Sequence, residues 1–123
     1  MSVRIKNATI HRIDLKTRMP FKYGIATMTE VPMIFVSVAI ETNGKQTSGT
    51  ASDLLPPKWF TKVPNETIEN EIAEMLRVIR NTIQISIDAE AENAFELWRL
   101  IYENQTKWAL TKSIPMLLAH FGT

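Results

Sequence analysis

At 123 residues the chain has the usual size of one domain, and 45% apolar with 22% charged residues is the composition of a globular protein. Fourteen Lys and Arg against thirteen Asp and Glu leave a net charge of +1, which offers no electrostatic footprint for nucleic acid or an anionic membrane. The lack of Cys excludes disulfides, thiolate metal sites and thiol nucleophiles.

The first half reads as strands. Val3, Ile5, Ile10, Ile13 and Leu15 lie in a run without Gly or Pro, a strand signal whose period is imperfect. Residues 33–42 alternate more cleanly, with Ile34, Val36, Val38 and Ile40 on one face and Met33, Phe35, Ser37, Ala39 and Glu41 on the other. Both faces start apolar, which predicts a central strand covered on each side. Asn43-Gly44 suits a type I′ turn, because both residues tolerate positive φ, and residues 45–50 return as a third, more polar strand.

In the second half the period changes. Ile68, Ile72, Met75, Leu76, Ile79 and Ile83 make one apolar helical stripe, with Asn65 after Pro64 as its N-cap. Glu66, Glu69 and Glu71 sit early and Arg77 and Arg80 late, as the helix dipole favours. A second helix is expected from near Asp88, its buried edge made by Phe95, Trp98, Ile101 and Tyr102. Ser113-Ile114-Pro115 reads as the cap and first-turn proline of a third. The order predicts a single α+β domain over residues 1–123, a three-stranded antiparallel β-meander followed by a helical layer. Residues 17–32 and 52–64 read as long loops, and long loops in a compact domain commonly carry function.

No constellation for catalysis emerges. His11 and His120 have no second His at ligand spacing and read as ordinary core or surface histidines. There is no Gly-x-Ser-x-Gly elbow, and four glycines do not assemble a phosphate loop. The carboxylates of residues 66–74 and 88–96 read as solvated helix faces rather than metal ligands, and Trp98 and Tyr102, at i and i+4, as core. Catalytic and metal residues are therefore expected to be none in this chain. Phe21, Tyr23 and Ile25 in the first loop and Leu54, Leu55, Trp59 and Phe60 in the second are many large side chains for loops. They either fold back on their own sheet or cover a second body.

Ile10-His11-Arg12-Ile13-Asp14-Leu15, then Met19-Pro20-Phe21-Lys22-Tyr23-Gly24, resemble the first strand and mobile loop of the enolase superfamily's N-terminal capping domain, in the mandelate racemase and muconate-lactonizing branch. Thr29-Glu30-Val31-Pro32, the stretch from Asp53-Leu54-Leu55-Pro56-Pro57-Lys58-Trp59-Phe60 to Thr61-Lys62, and Leu117-Leu118-Ala119-His120-Phe121-Gly122 are similar to later parts of the same domain. The resemblance implies a fold that closes over a barrel holding Mg²⁺ and a base. There a proton α to a carboxylate is abstracted and the resulting enediolate stabilised. It implies that the loops, through Phe21, Tyr23, Ile25, Leu54, Lys58 and Trp59, shape the pocket for the distal part of the substrate.

Two departures qualify what the resemblance carries over. The chain stops where the barrel would start, so base and metal ligands have no counterpart. Where the family's third strand ends Gly-x-Gly-Glu-Ala, this one reads Thr47-Ser48-Gly49-Thr50-Ala51, with Thr50 in place of the acid. The expectation is a capping domain without its barrel, whether a truncated product, an excised fragment or one chain of a split enzyme. The rival is a free-standing, self-associating interaction module with the cap fold. No cofactor is expected in this chain, and Mg²⁺ only in the complete enzyme. The expected partner is a second copy or a separate barrel chain, joined through Phe21, Tyr23, Leu54, Trp59, Phe60, Leu117, Leu118 and Phe121. No nucleic acid or membrane partner is expected. The charged Met1-Ser2-Val3-Arg4-Ile5-Lys6 start lacks a signal peptide's apolar run, and no segment reaches the ~18 apolar residues of a membrane span, so a cytoplasmic setting is expected.

Overall fold

The computed structural model describes residues 2–60 and 65–123; Pro64 and the Thr61-Lys62 end of the second loop lie outside the described residues. Strands β1 (Val3–Tyr23), β2 (Ala26–Thr42) and β3 (Lys45–Leu54) form an antiparallel meander. Helix α1 (Ile68–Ser86), strand β4 (Glu90–Ala91), α2 (Ala94–Lys112) and α3 (Met116–Phe121) follow. The sheet order is β3-β2-β1-β4, so the expected α+β meander and helical layer are present, with a two-residue fourth strand added against Val3 and Arg4.

A β-bulge explains the imperfect period of β1. Ile5 faces Ile40, but Asn7 faces Ala39, so Lys6 is an extra residue. One inserted residue moves every later side chain to the other face. Val3 and Ile5 before the bulge, and Ile10 after it, therefore all reach the helical side. The Asn43-Gly44 turn forms as expected, with φ of 51° and 74°.

Residues 17–32 are not a loop. The hairpin runs on through Phe21↔Met28 and Tyr23↔Ala26 and closes at Gly24-Ile25, where Gly24 takes φ +53° as the first residue of a two-residue turn. Thr27, Thr29 and Val31 favour the extended ladder. Pro20 falls within the register irregularity between Lys16 and Phe21, where its missing N–H interrupts no rung.

The helices cover one face. Met75, Leu76, Val78 and Ile79 of α1 pack with Ile34, Leu55, Ala109, Ile114, Leu118 and Ala119, and a smaller cluster joins Ile5 to Leu97 and Ile101. On the opposite face Ile13 and Leu15 of β1 remain 50% and 37% exposed and Met33, Phe35, Ser37 and Ala39 of β2 are only half-buried, so the expected cover on each side of β2 is not formed.

The helix ends differ from expectation in instructive ways. Thr67, not Asn65, caps α1, accepting from the Asn70 backbone N–H, while Asn65 takes a left-handed φ of 65°. Arg77 and Arg80 fall in mid-helix because α1 continues to Ser86, and Ile68 stays exposed. Asn93 caps α2. Ser113, at φ 55°, ends α2 rather than starting α3.

The buried edge of α2 is Leu97, Ile101, Gln105 and Ala109. Gln105 is completely buried and ties three helices together: Nε2 donates to the Val78 and Ala119 carbonyls at 2.9 and 3.1 Å, and Oε1 accepts from Asn81 Nδ2 at 2.7 Å. A glutamine on the inner stripe turns the aromatic positions outward. Phe95, Trp98 and Tyr102 are exposed and meet in tilted contacts along the helix, and His120 lies flat on Tyr102 at 3.6 Å. Of the expected aromatic edge only Ile101 is core.

Candidate substrate-capping site

Two segments far apart in sequence meet beyond one end of the sheet. The first is the β1–β2 hairpin tip. The second is the connection from β3 to α1, whose start is fixed by Leu55: its N–H donates to Pro32 O at 2.9 Å and its side chain is fully buried. Tyr23 then joins the two, donating its phenol O–H to Pro57 O at 2.6 Å.

The next residue, Lys58, adopts φ +62°, a conformation costing a non-glycine residue roughly 1 kcal/mol or more. The compensation is Glu71, on the first turns of α1. Its Oε2 accepts the Lys58 backbone N–H at 2.9 Å, and its Oε1 lies 3.1 Å from the Lys58 ammonium. That ammonium also reaches the Glu66 carbonyl at 3.4 Å. Glu71 is only 5% exposed, so the carboxylate is a buried anchor rather than a solvated charge. Burial first, and the Glu71 charge second, hold the Tyr23 phenol above its ordinary pKa.

Held this way, the rings converge. Phe21 and Tyr23 centroids are 6.0 Å apart, and Tyr23 and Trp59 are 5.8 Å apart. An open cavity of about 380 Å³ lies between Phe21, Tyr23, Met28, Leu54, Trp59 and Phe60. A neighbouring recess of about 240 Å³ is lined by Tyr23, Gly24, Ile25, Lys58 and Trp59. The six loop residues singled out from sequence thus gather around two adjoining hollows, with Tyr23 and Trp59 common to both. Trp59, Phe21 and Ile25 remain 58%, 57% and 82% exposed.

Of the terminal-helix residues assigned to this surface, Phe121 lines the first hollow, its ring 4.4 Å from Phe60, whereas Leu118 is core and Leu117 is exposed without lining either hollow. Thr50 sits on exposed β3, its hydroxyl 3.0 Å from that of Ser37. The anchor Glu71 escaped sequence reading because a glutamate early in a helix looks like dipole compensation.

Chemically the site can cover and orient an apolar or mixed ligand, with one phenol and one ammonium at its rim. Among the described residues no group of three or more His, Asp or Glu side chains converges as a metal site would need. No helix among the described residues is long and apolar enough to cross a membrane.

Fold and site define a class: an α+β domain whose β1–β2 hairpin tip and β3–α1 connection together form an exposed, largely apolar surface. No family model matches the sequence, and no curated protein does. Among solved structures, an enolase from alpha proteobacterium BAL199 with bound magnesium is similar, at a TM-score of 0.54 and 18% identity. The likeness covers 87% of this chain and 24% of that one. The fold is thus one found within an enolase chain, and this chain spans 24% of that enolase's length.

Proposed function

We propose that this chain is a capping domain of a mandelate racemase or muconate-lactonizing-like enzyme, which closes over a Mg²⁺-dependent barrel and shapes its substrate pocket without catalysing a reaction alone. The observation that carries this reading is the convergence of the hairpin tip and the β3–α1 connection on one exposed aromatic cover, built on an ion pair between partly exposed Lys58 and buried Glu71. A cover held this firmly, yet leaving Phe21, Ile25 and Trp59 in water, suits a surface completed by a second body. Returning several hundred Å² of apolar surface to contact is worth several kcal/mol at roughly 25 cal/mol per Å².

In this role Phe21, Tyr23, Ile25, Leu54, Lys58 and Trp59 contact the distal part of the substrate and exclude water. The barrel supplies the base and the ligands for Mg²⁺, whose charge stabilises negative charge developing on the substrate carboxylate. The setting is cytoplasmic, and the body is a barrel on a separate or contiguous polypeptide. The same exposed rings favour one other reading, a free-standing module that buries them against a second copy.

Mixing the chain with a cap-deleted barrel of this branch, and following association by sedimentation velocity, tests the proposal. Complex formation weakened by Trp59→Ala is expected. A chain that ignores the barrel and self-associates through Trp59 would replace the capping reading by the second one.

A further inference from the structure

The open edge of β3 carries an inference independent of the capping surface. β3 is exposed along its length, and its ladder with β2 runs from Thr42↔Lys45 to Met33↔Leu54 without a register shift. Among the described residues no strand pairs with its outer side. Exposed edges are ordinarily guarded by charges, proline or a bulge. Between Gln46 and Ser52 this edge has none of them.

The direction of its backbone groups follows from one bond. Leu55 donates to Pro32 O, directly continuing the β2–β3 ladder. Residues of an antiparallel strand alternate between bonding one side and the other. Lys45, Thr47, Gly49, Ala51 and Asp53 therefore turn their backbone groups toward β2. Gln46, Ser48, Thr50 and Ser52 present theirs to the open edge.

From this geometry we infer that β3 pairs antiparallel with β3 of a second copy, about a two-fold axis at Gly49. Only registers that set even residues opposite even residues match the free backbone groups. With the axis at Gly49, Ser48 faces Thr50 of the other copy and Gln46 faces Ser52, as hydrogen-bonded pairs. Lys45 then faces Asp53, and Thr47 faces Ala51, as non-hydrogen-bonded pairs, in which side chains approach most closely. The two charged residues of the strand are thus paired with opposite sign at both ends. Moving the axis to Ser48 or Thr50 sets Lys45 against Ala51 or Leu55 and leaves both charges unmatched.

The pairing keeps the two helical layers on one side of a continuous sheet. It also brings together the two copies of an open groove of about 320 Å³ between the sheet and α1, lined by Val36, Val38, Ala51, Ile79, Ile83 and Phe121.

The chain contains no Cys, so single cysteines report register directly. Gly49→Cys is expected to form a disulfide-linked dimer under mild oxidation, while Thr47→Cys, displaced from its own copy by four residues along the strand, is not. In sedimentation equilibrium Lys45→Asp and Asp53→Lys should each weaken the dimer by about tenfold, and the double exchange should restore it to within about threefold. Ser48→Pro removes an outward N–H, which a folded edge strand tolerates, and should leave a folded monomer by circular dichroism. A chain that is monomeric at every concentration would overturn the inference. So would a dimer that crosslinks equally through both cysteines or is indifferent to Ser48→Pro.

Discussion

One carboxylate, that of Glu71, receives both the backbone N–H and the ammonium of Lys58, at 2.9 and 3.1 Å. The relationship links the start of α1 to a left-handed residue in the connection from β3 to α1. It therefore converts helix stability into loop position, and Tyr23 and Trp59 inherit that position.

Glu71→Gln removes the charge but keeps the shape. Lys58 is partly solvated, so the loss is expected to be smaller than for a fully buried pair, about 1–3 kcal/mol by chemical denaturation. The phenol of Tyr23 is raised by burial and then by Glu71, so the variant should also titrate Tyr23 at lower pH, read by its alkaline ultraviolet absorbance. The sign for stability is fixed as well: the contribution is complete below the ordinary value of 10.0 and is lost as pH rises through the higher folded value. An unchanged Tyr23 titration in Glu71→Gln would show that the carboxylate does not govern the loop.

Gln105→Leu tests the helical junction. The substitution fits the apolar surroundings but leaves the Ala119 carbonyl and Asn81 without the glutamine partner they have in the folded chain. The expected destabilisation is about 2–4 kcal/mol, larger than for exposed Trp98→Leu on the same helix. Similar melting temperatures for the two variants would contradict the junction's role.

His120 gives the fold an acid sensitivity. Burial lowers its pKa below the ordinary 6.5, while its Nε2 lies 3.0 Å from Thr106 Oγ1 and its ring lies on Tyr102. A lowered folded pKa means that the unfolded chain binds the proton first. The contribution is present above 6.5 and is lost as pH falls through the folded value. His120→Phe keeps the stacking and removes the titration, so its stability should decline less between about pH 7 and pH 5. Parallel pH profiles for the two proteins would rule this out.

The sheet and the helical stripe of α1 were legible because alternation and the three- and four-residue steps are local signals. Asn43-Gly44 marked its turn for the same reason. The bulge at Lys6 was visible only as an irregular period, since a bulge is defined by the partner strand. The hairpin arm through Tyr23 and Ala26 was hidden by Met19, Pro20 and Gly24, which look like loop chemistry until Pro20 is placed at a break in register. The outer aromatic face of α2 was misread because Phe95, Trp98 and Tyr102 outweigh Gln105 in hydrophobicity, while Gln105 is buried by three tertiary hydrogen bonds that no periodicity encodes. Of the site, the aromatic members were legible as large side chains in apparent loops. Their anchor was not, because a buried glutamate is recognised by its partner.

Exchange of substrate α-protons into D₂O in the presence of Mg²⁺, measured by NMR over a panel of hydroxy acids and acid sugars, tests the capping role most directly. The chain alone is expected to give no exchange above background. Combined with a cap-deleted barrel it should raise exchange for a subset of the panel, and Trp59→Ala or Tyr23→Ala should lower the rate by about tenfold or more as water enters the pocket. Exchange by the chain alone that survives purification and is abolished by a point substitution within it would contradict the account.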